Sequence, residues 1–272
     1  MNLSKNALEI LKETSRTFYI PINQLPSGLK EAVASAYLCM RAIDEIEDHP
    51  DLDNFTKAKL LRRTSLILQE GVDHSSFRKF SEKWDLNISH LPEVTVRVGE
   101  WAILASETIA PRIWDVTAAM ADRMAYWAEN NWTIHTESDL DRYTFSVAGA
   151  VGLLLSDLWA WYDGTQTNRT EAIGFGRGLQ AVNILRNYTE DLDRGVDFFP
   201  DGWTREDLQV YAQRNLLLAD SYTNSLPCGP ARNFCQIPLT LAHATLDILA
   251  MGQEKLSRSE VMELISRCHN SG

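Results

Sequence analysis

The stretch AVASAYLCMRAIDEIEDHP, residues 32–50, decides the fold. Stepped at about 100° per residue, Tyr37, Arg41, Asp44 and Asp48 fall within an arc of roughly 60°. The rest of the segment is mostly Ala, Leu, Ile, Val, Met and Cys, so it reads as an amphipathic helix with one narrow polar stripe on a largely buried body. A second stretch, GRGLQAVNILRNYTEDLDRG at 176–195, repeats the pattern. Its Gln180, Asn183, Asn187 and Asp191 share an arc of roughly 80°.

Either stripe alone reads equally well as a solvated helix face, where carboxylates at i,i+4 cost a few tenths of a kcal/mol. Two such stripes on two apolar helices point elsewhere. Buried carboxylates without a cation carry a large desolvation cost. Carboxylate and amide oxygens suit Mg²⁺, which commonly joins protein carboxylates to substrate phosphates. Arg41 and Arg186 then read as diphosphate partners, because a guanidinium matches phosphate geometry.

Helical spacing governs the rest of the chain. Helices are expected over 3–14, 28–47, 55–70, 75–84, 92–109, 112–131, 137–162, 169–194, 204–215, 229–251 and 257–268, with Pro and Gly between most of them. Strand signals are scarce, and no Gly/Ser-rich linker or fixed-period repeat divides the 272 residues. The expectation is one all-α domain over 1–272, large enough to hide roughly 75% of its unfolded surface. The run Phe145 to Trp161 is the most apolar. It contains Ser146, Ser156 and Asp157 and falls short of the roughly 20 apolar residues of a membrane span.

Composition narrows the function. Apolar residues make up 44% and charged residues 23%, as in ordinary globular chains. Lys plus Arg total 26 against 37 Asp plus Glu, a net charge of −11 that repels nucleic-acid backbones. An anionic ligand would need metal ions or local Arg to overcome that field. Cys39, Cys228, Cys235 and Cys268 form no CxxC pair and read as reduced thiols in a cytoplasmic protein. The N-terminal segment lacks a signal-peptide h-region. No P-loop, G-x-S-x-G or H-E-x-x-H occurs. Gly174-Phe-Gly176-Arg-Gly178 follows no strand and reads as a helix-packing run.

Four segments together, SRTFYIPINQLP at 15–26, AYLCMRAIDEIED at 36–48, DLDRYTFSVAGAVG at 139–152 and GLQAVNILRNYTED at 178–191, resemble the squalene/phytoene synthase family. The likeness is strongest with its bacterial farnesyl diphosphate phosphatase branch. The resemblance implies a helical bundle of isoprenoid-synthase type around a central apolar cavity. It implies Mg²⁺, with Mn²⁺ as the alternative, held by Asp44, Asp48, Asn183, Asn187 and Asp191. Diphosphate would meet Arg41, Arg186, Gln180 and Arg194. The prenyl chain would lie against Phe18, Tyr143, Val147 and Gly149, with Tyr37 near the reacting end. Asp44, Asp48, Asp191 and Tyr37 would be the catalytic set.

Two positions depart from the family pattern. Asn187 stands where family synthases carry Asp, and Val196 where they carry Arg. Both weaken the second side. The expected activity is therefore Mg²⁺-dependent hydrolysis of a prenyl diphosphate, farnesyl diphosphate to farnesol and diphosphate, without NADPH. The alternatives are head-to-head coupling of two prenyl diphosphates and a non-catalytic prenyl-lipid binding protein. Nucleic acid and a transmembrane segment are not expected, peripheral contact with a membrane surface is compatible with the sequence, and oligomeric state is left open.

Overall fold

The computed structural model describes residues 3–70, 91–253 and 255–270, and the helix expected over 75–84 lies outside them. No strand occurs among the described residues, so the all-α expectation holds. Contacts group the chain into two compact units, Met1–Asn131 and Trp132–Gly272, where the sequence reads as one domain.

The first unit comprises α1 (Lys5–Thr14), α2 (Arg16–Gln24), α3 (Leu29–Glu47), α4 (Asn54–Gln69), the short α5 (Glu93–Val96) and α6 (Val98–Ala102), and α7 (Ala110–Glu129). Helix α3 is its axis, in contact with α4, α5, α6 and α7. Its start is set by Gly28 at φ +90°, whose N–H donates to the buried Glu31 carboxylate. Its flanks are pinned by tertiary bonds. Ser35 Oγ donates to the Trp101 carbonyl at 2.7 Å and Thr95 Oγ1 to the Ala42 carbonyl at 3.0 Å.

Those bonds explain a correction. The helix expected over 92–109 is two short turns and a loop, broken at Arg97, where φ −102° and ψ 14° leave the helical region. Trp101 Nε1 donates back to the Val94 carbonyl at 2.7 Å, which replaces continuous helix with a tight fold-back. Helix α2 is a second correction, because Pro21, a breaker by residue type, lies inside it. Ser15 caps α2 by accepting from Phe18 N–H at 3.1 Å. Pro111, between the helices expected over 92–109 and 112–131, sits in the first turn of α7, where its missing N–H costs nothing.

The second unit holds α8 (Glu137–Thr144), a π-helical segment (Phe145–Gly149), α9 (Ala150–Asp163), α10 (Arg169–Asp193), α11 (Arg205–Ser225), α12 (Pro230–Ala250) and α13 (Arg258–Asn270). Helix α10 is the axis here, with α11 as its most extensive partner. The Gly174–Gly178 run is a packing device. A Cβ at Gly176 would lie 2.1 Å from the Ala148 carbonyl oxygen, and one at Gly174 would lie 2.4 Å from Leu218 Cβ. Helices α8, π and α9 run on continuously from Glu137 to Asp163, long and apolar enough by composition to cross a membrane, which the shorter run 145–161 is not. Its most apolar window is 56% buried, as in a core helix.

Candidate active site

The first stripe lies on the C-terminal half of α3. The Arg41 guanidinium spans its own helix, with Nη1 donating to Asp44 and Nη2 to Glu45. Both pairings use the i,i+3 and i,i+4 spacings that bring side chains together on a helix. The buried Nε of Arg41 has no hydrogen-bond partner. The group expected to face a diphosphate is thus brought to two carboxylates of its own helix. Glu45, absent from the sequence reading, is half of this clamp, and its signal was the i+4 spacing from Arg41.

Asp44 is about one third exposed, at 33%. Desolvation, and then the neighbouring Asp48 charge, push its carboxyl up from the ordinary carboxylate range to about 7, against the pull of Arg41. Asp48 caps the helix, and its N–H donates to the Asp44 carbonyl at 2.9 Å. Two acids on one exposed edge, one of them resisting ionisation because of burial and the other, form a field that a divalent cation relieves. The donor set is hard oxygen, which suits Mg²⁺. The first stripe therefore fits the metal.

Tyr37, one turn before Arg41, packs on Phe18 with ring centroids 5.7 Å apart. Burial raises the pKa of its hydroxyl, so it stays protonated at neutral pH. Because Ser15 caps α2, Ser15→Ala is expected to cost about 1 kcal/mol of stability, measured by urea denaturation.

The second stripe lies on α10. Arg186 Nε donates to Asn187 Oδ1 at 3.1 Å, and its Nη2 donates to Asn183 Oδ1. Asn187 Nδ2 also donates to Asn183 Oδ1, at 3.4 Å. Asp191 is buried at 6% and pairs with Arg194 Nη2 at 2.5 Å. Its carbonyl accepts from Val196 N–H at 3.0 Å, closing the helix end. Gln180 lies half-buried on the same helix. The amide oxygens of Asn183 and Asn187 and one Asp191 oxygen each accept from an Arg nitrogen, as Asp44 does on the first stripe, but this set carries one carboxylate where the first carries two and so offers a cation less charge. Among the described residues no three His, Cys, Asp or Glu side chains gather to hold an ion alone.

Tyr143 is buried and stacks on Phe198 at 4.5 Å between centroids. Val147 and Gly149 fall in the π-helical segment. A Cβ on Gly149 would meet Phe145 Cδ2 at 3.1 Å and Ile173 Cγ2 at 3.3 Å.

The architecture is that of the isoprenoid-synthase-type helical fold. The structure matches TcSQS in complex with the ligand BPH1237 at a TM-score of 0.78 and 22% identity, over 97% of this chain and 85% of that one. A dehydrosqualene synthase structure matches at 0.64 and 17% identity, over 98% and 95%. In sequence, a family model for squalene/phytoene synthase matches residues 11–217, and the chain belongs to that family. Squalene synthase of Schizosaccharomyces pombe is 30% identical over 89% of this chain and 58% of its own length. That of Dictyostelium discoideum is 29% identical over 88% and 62%. The chain spans about three fifths of the length of these curated relatives.

Proposed function

We propose that the protein is a Mg²⁺-dependent prenyltransferase that joins two prenyl diphosphates head to head. The observation that carries this reading is the family match over residues 11–217, in a chain whose relatives are named squalene synthase. It moves the balance from the hydrolysis expected from sequence to coupling. Asp44 and Asp48 would hold the metal, which when bound supplies charge to offset the developing negative charge of a leaving diphosphate. Arg41 fixes Asp44 and Glu45, so both carboxylates are set before substrate arrives. Tyr37 keeps its proton on the phenolic oxygen and offers a neutral hydrogen-bond donor. Phe18, Tyr143, Val147 and Gly149 would lie along the prenyl chain.

Arg41→Lys keeps the charge but holds one carboxylate at a time. It is expected to lower kcat/KM about tenfold, equivalent to about 1.4 kcal/mol, in a steady-state assay.

Hydrolysis is the second reading, and it is favoured by Asn187 and Val196, which remove one negative and one positive charge from the second side. Incubation with farnesyl diphosphate and Mg²⁺, with and without NADPH, separates the two. Coupling yields a cyclopropyl diphosphate without NADPH, and a squalene-type product with it if the chain also takes up the hydride donor. Farnesol alone in both arms supports hydrolysis. Tight binding with no product removes both and leaves the non-catalytic binder.

A further inference from the structure

We infer that Tyr211 and Arg177 are positioning residues that act through Asp141 to hold the π-helical turn Phe145–Gly149, and so place the residues along which a prenyl chain would lie. The inference rests on the prenyl diphosphate reading above and adds which side chains outside the two polar stripes fix that segment.

Three successive carbonyls just ahead of the turn accept from side chains. Thr144 Oγ1 donates to the Leu140 carbonyl at 2.8 Å, Arg177 Nη2 to the Asp141 carbonyl at 2.9 Å and Ser146 Oγ to the Arg142 carbonyl at 2.6 Å. The first and third are i−4 bonds within the segment itself. The second comes from α10 and ties the start of the turn to another helix. Gly176, next to Arg177, is the residue that lets α10 close on the turn, because a Cβ there would meet the Ala148 carbonyl oxygen at 2.1 Å. Close approach and hydrogen bond are thus supplied by adjacent residues of α10.

Tyr211 makes the other tie. It is buried on α11, and its hydroxyl donates to Asp141 Oδ1 at 2.8 Å and lies 3.1 Å from Thr144 Oγ1. Burial raises the pKa of the phenol, so the proton it donates stays on it at neutral pH. Arg177 Nη1 lies 3.5 Å from the same Asp141 oxygen and offsets its charge. Asp141 is therefore held by α10 through its carbonyl and by α11 through its carboxylate. Arg177 also keeps a buried Nε without a hydrogen-bond partner, a desolvation cost that its two contacts with Asp141 offset.

A π turn is a rare conformation, met mostly at functional sites. Tyr143 stands just before this one, and Val147 and Gly149 stand inside it. Loosening Asp141 would therefore shift all three against α10.

The test compares two buried tyrosines of α11. Tyr211→Phe removes the hydroxyl and keeps the ring. Tyr222→Phe removes an equally buried hydroxyl, bonded to Ser156 at 3.0 Å and to Trp159 Nε1 at 3.1 Å, and controls for lost stability. Hydrogen exchange of the full chain, read by mass spectrometry, should be about tenfold faster over 145–149 in Tyr211→Phe than in wild type or Tyr222→Phe, as loss of a bond to a charged group implies. Arg177→Met should act alike. The ratio of kcat/KM for farnesyl and geranylgeranyl diphosphate should shift by about threefold in both test variants, mainly through KM, and stay at the wild-type value in Tyr222→Phe. Circular dichroism confirms that each variant folds. Exchange over 145–149 no faster in Tyr211→Phe than in Tyr222→Phe overturns the inference, as does an unchanged chain-length ratio. The exchange measurement contains no substrate, so its failure is distinct from failure of the coupling assay.

Discussion

Asp44→Asn is expected to lower turnover of a prenyl diphosphate by about 10³-fold, as loss of several kcal/mol of metal-borne charge stabilisation implies. The same substitution should make the metal-free protein more stable at pH 8, by about 1 kcal/mol once the exposed third of the side chain is allowed for. The sign follows from proton binding. The folded Asp44 carboxyl titrates at about 7, above its ordinary value of 3.8, so between these limits the folded state holds a proton that the unfolded state has released. Stability from this group therefore falls as pH rises from about 4 to about 7, and the deficit is complete above that. An asparagine side chain cannot ionise and escapes it. Melts of both proteins in chelator at pH 5 and pH 8 should show the advantage of the Asp44→Asn variant growing with pH. Added Mg²⁺ should stabilise wild type more than the variant. An unchanged Mg²⁺ response would remove Asp44 from the metal site.

Gly152→Ala is expected to have the largest effect on stability, about 3 kcal/mol, and to lower the melting temperature by about 10 °C. A Cβ there would lie 1.9 Å from the Ala172 carbonyl oxygen and 2.8 Å from its carbon, both backbone atoms that no rotamer change can move. Helices α9 and α10 would have to separate. Gly176→Ala acts on the neighbouring turn, at 2.1 Å from the Ala148 oxygen, and should behave alike. Gly164→Ala provides the contrast. Gly164 has φ +81° and nothing within 4 Å, so only backbone strain is added, about 1 kcal/mol. Thermal denaturation of the three variants separates close packing from turn geometry. Equal losses at positions 152 and 164 would show that the close approach of α9 and α10 is readily relaxed.

The long, strongly periodic helices can be read from sequence because local signals and burial agree in them. Helix α3, expected over 28–47, begins one residue later behind Gly28, and α10, expected over 169–194, starts at Arg169 behind the Asn168 cap. Helix α11, expected to end at 215, continues to Ser225. Its second half, rich in Asn, Asp, Ser and Thr, has poor helix propensity, but tertiary bonds override it. Buried Tyr222 is bonded to Ser156 and Trp159 through its hydroxyl, and Ser221 to Glu171 at 2.8 Å. The polar stripes of the candidate site are equally visible, because a stripe is only a phase. The partners within them are not. Whether Arg41 turns to Asp44 and Glu45, and Arg186 to two amides, depends on rotamers and on which neighbours are charged, and periodicity carries neither.

The π-helical segment Phe145–Gly149 holds one residue more per hydrogen-bonded ring than the α-helix on either side. Such a turn absorbs a single inserted residue while α8 and α9 keep the facing they would have without it. Chain length in this stretch is thus uncoupled from the registration of both flanks. Removing one residue between 145 and 149 would close the ring to α-helical spacing and leave Gly152 on its contact with Ala172. Removing one from α9 itself would turn every side chain beyond the cut by about 100°. For comparing or redesigning relatives of this chain, the segment is the place where an alignment gap costs least and where packing against α10 can be altered by length as well as by residue identity.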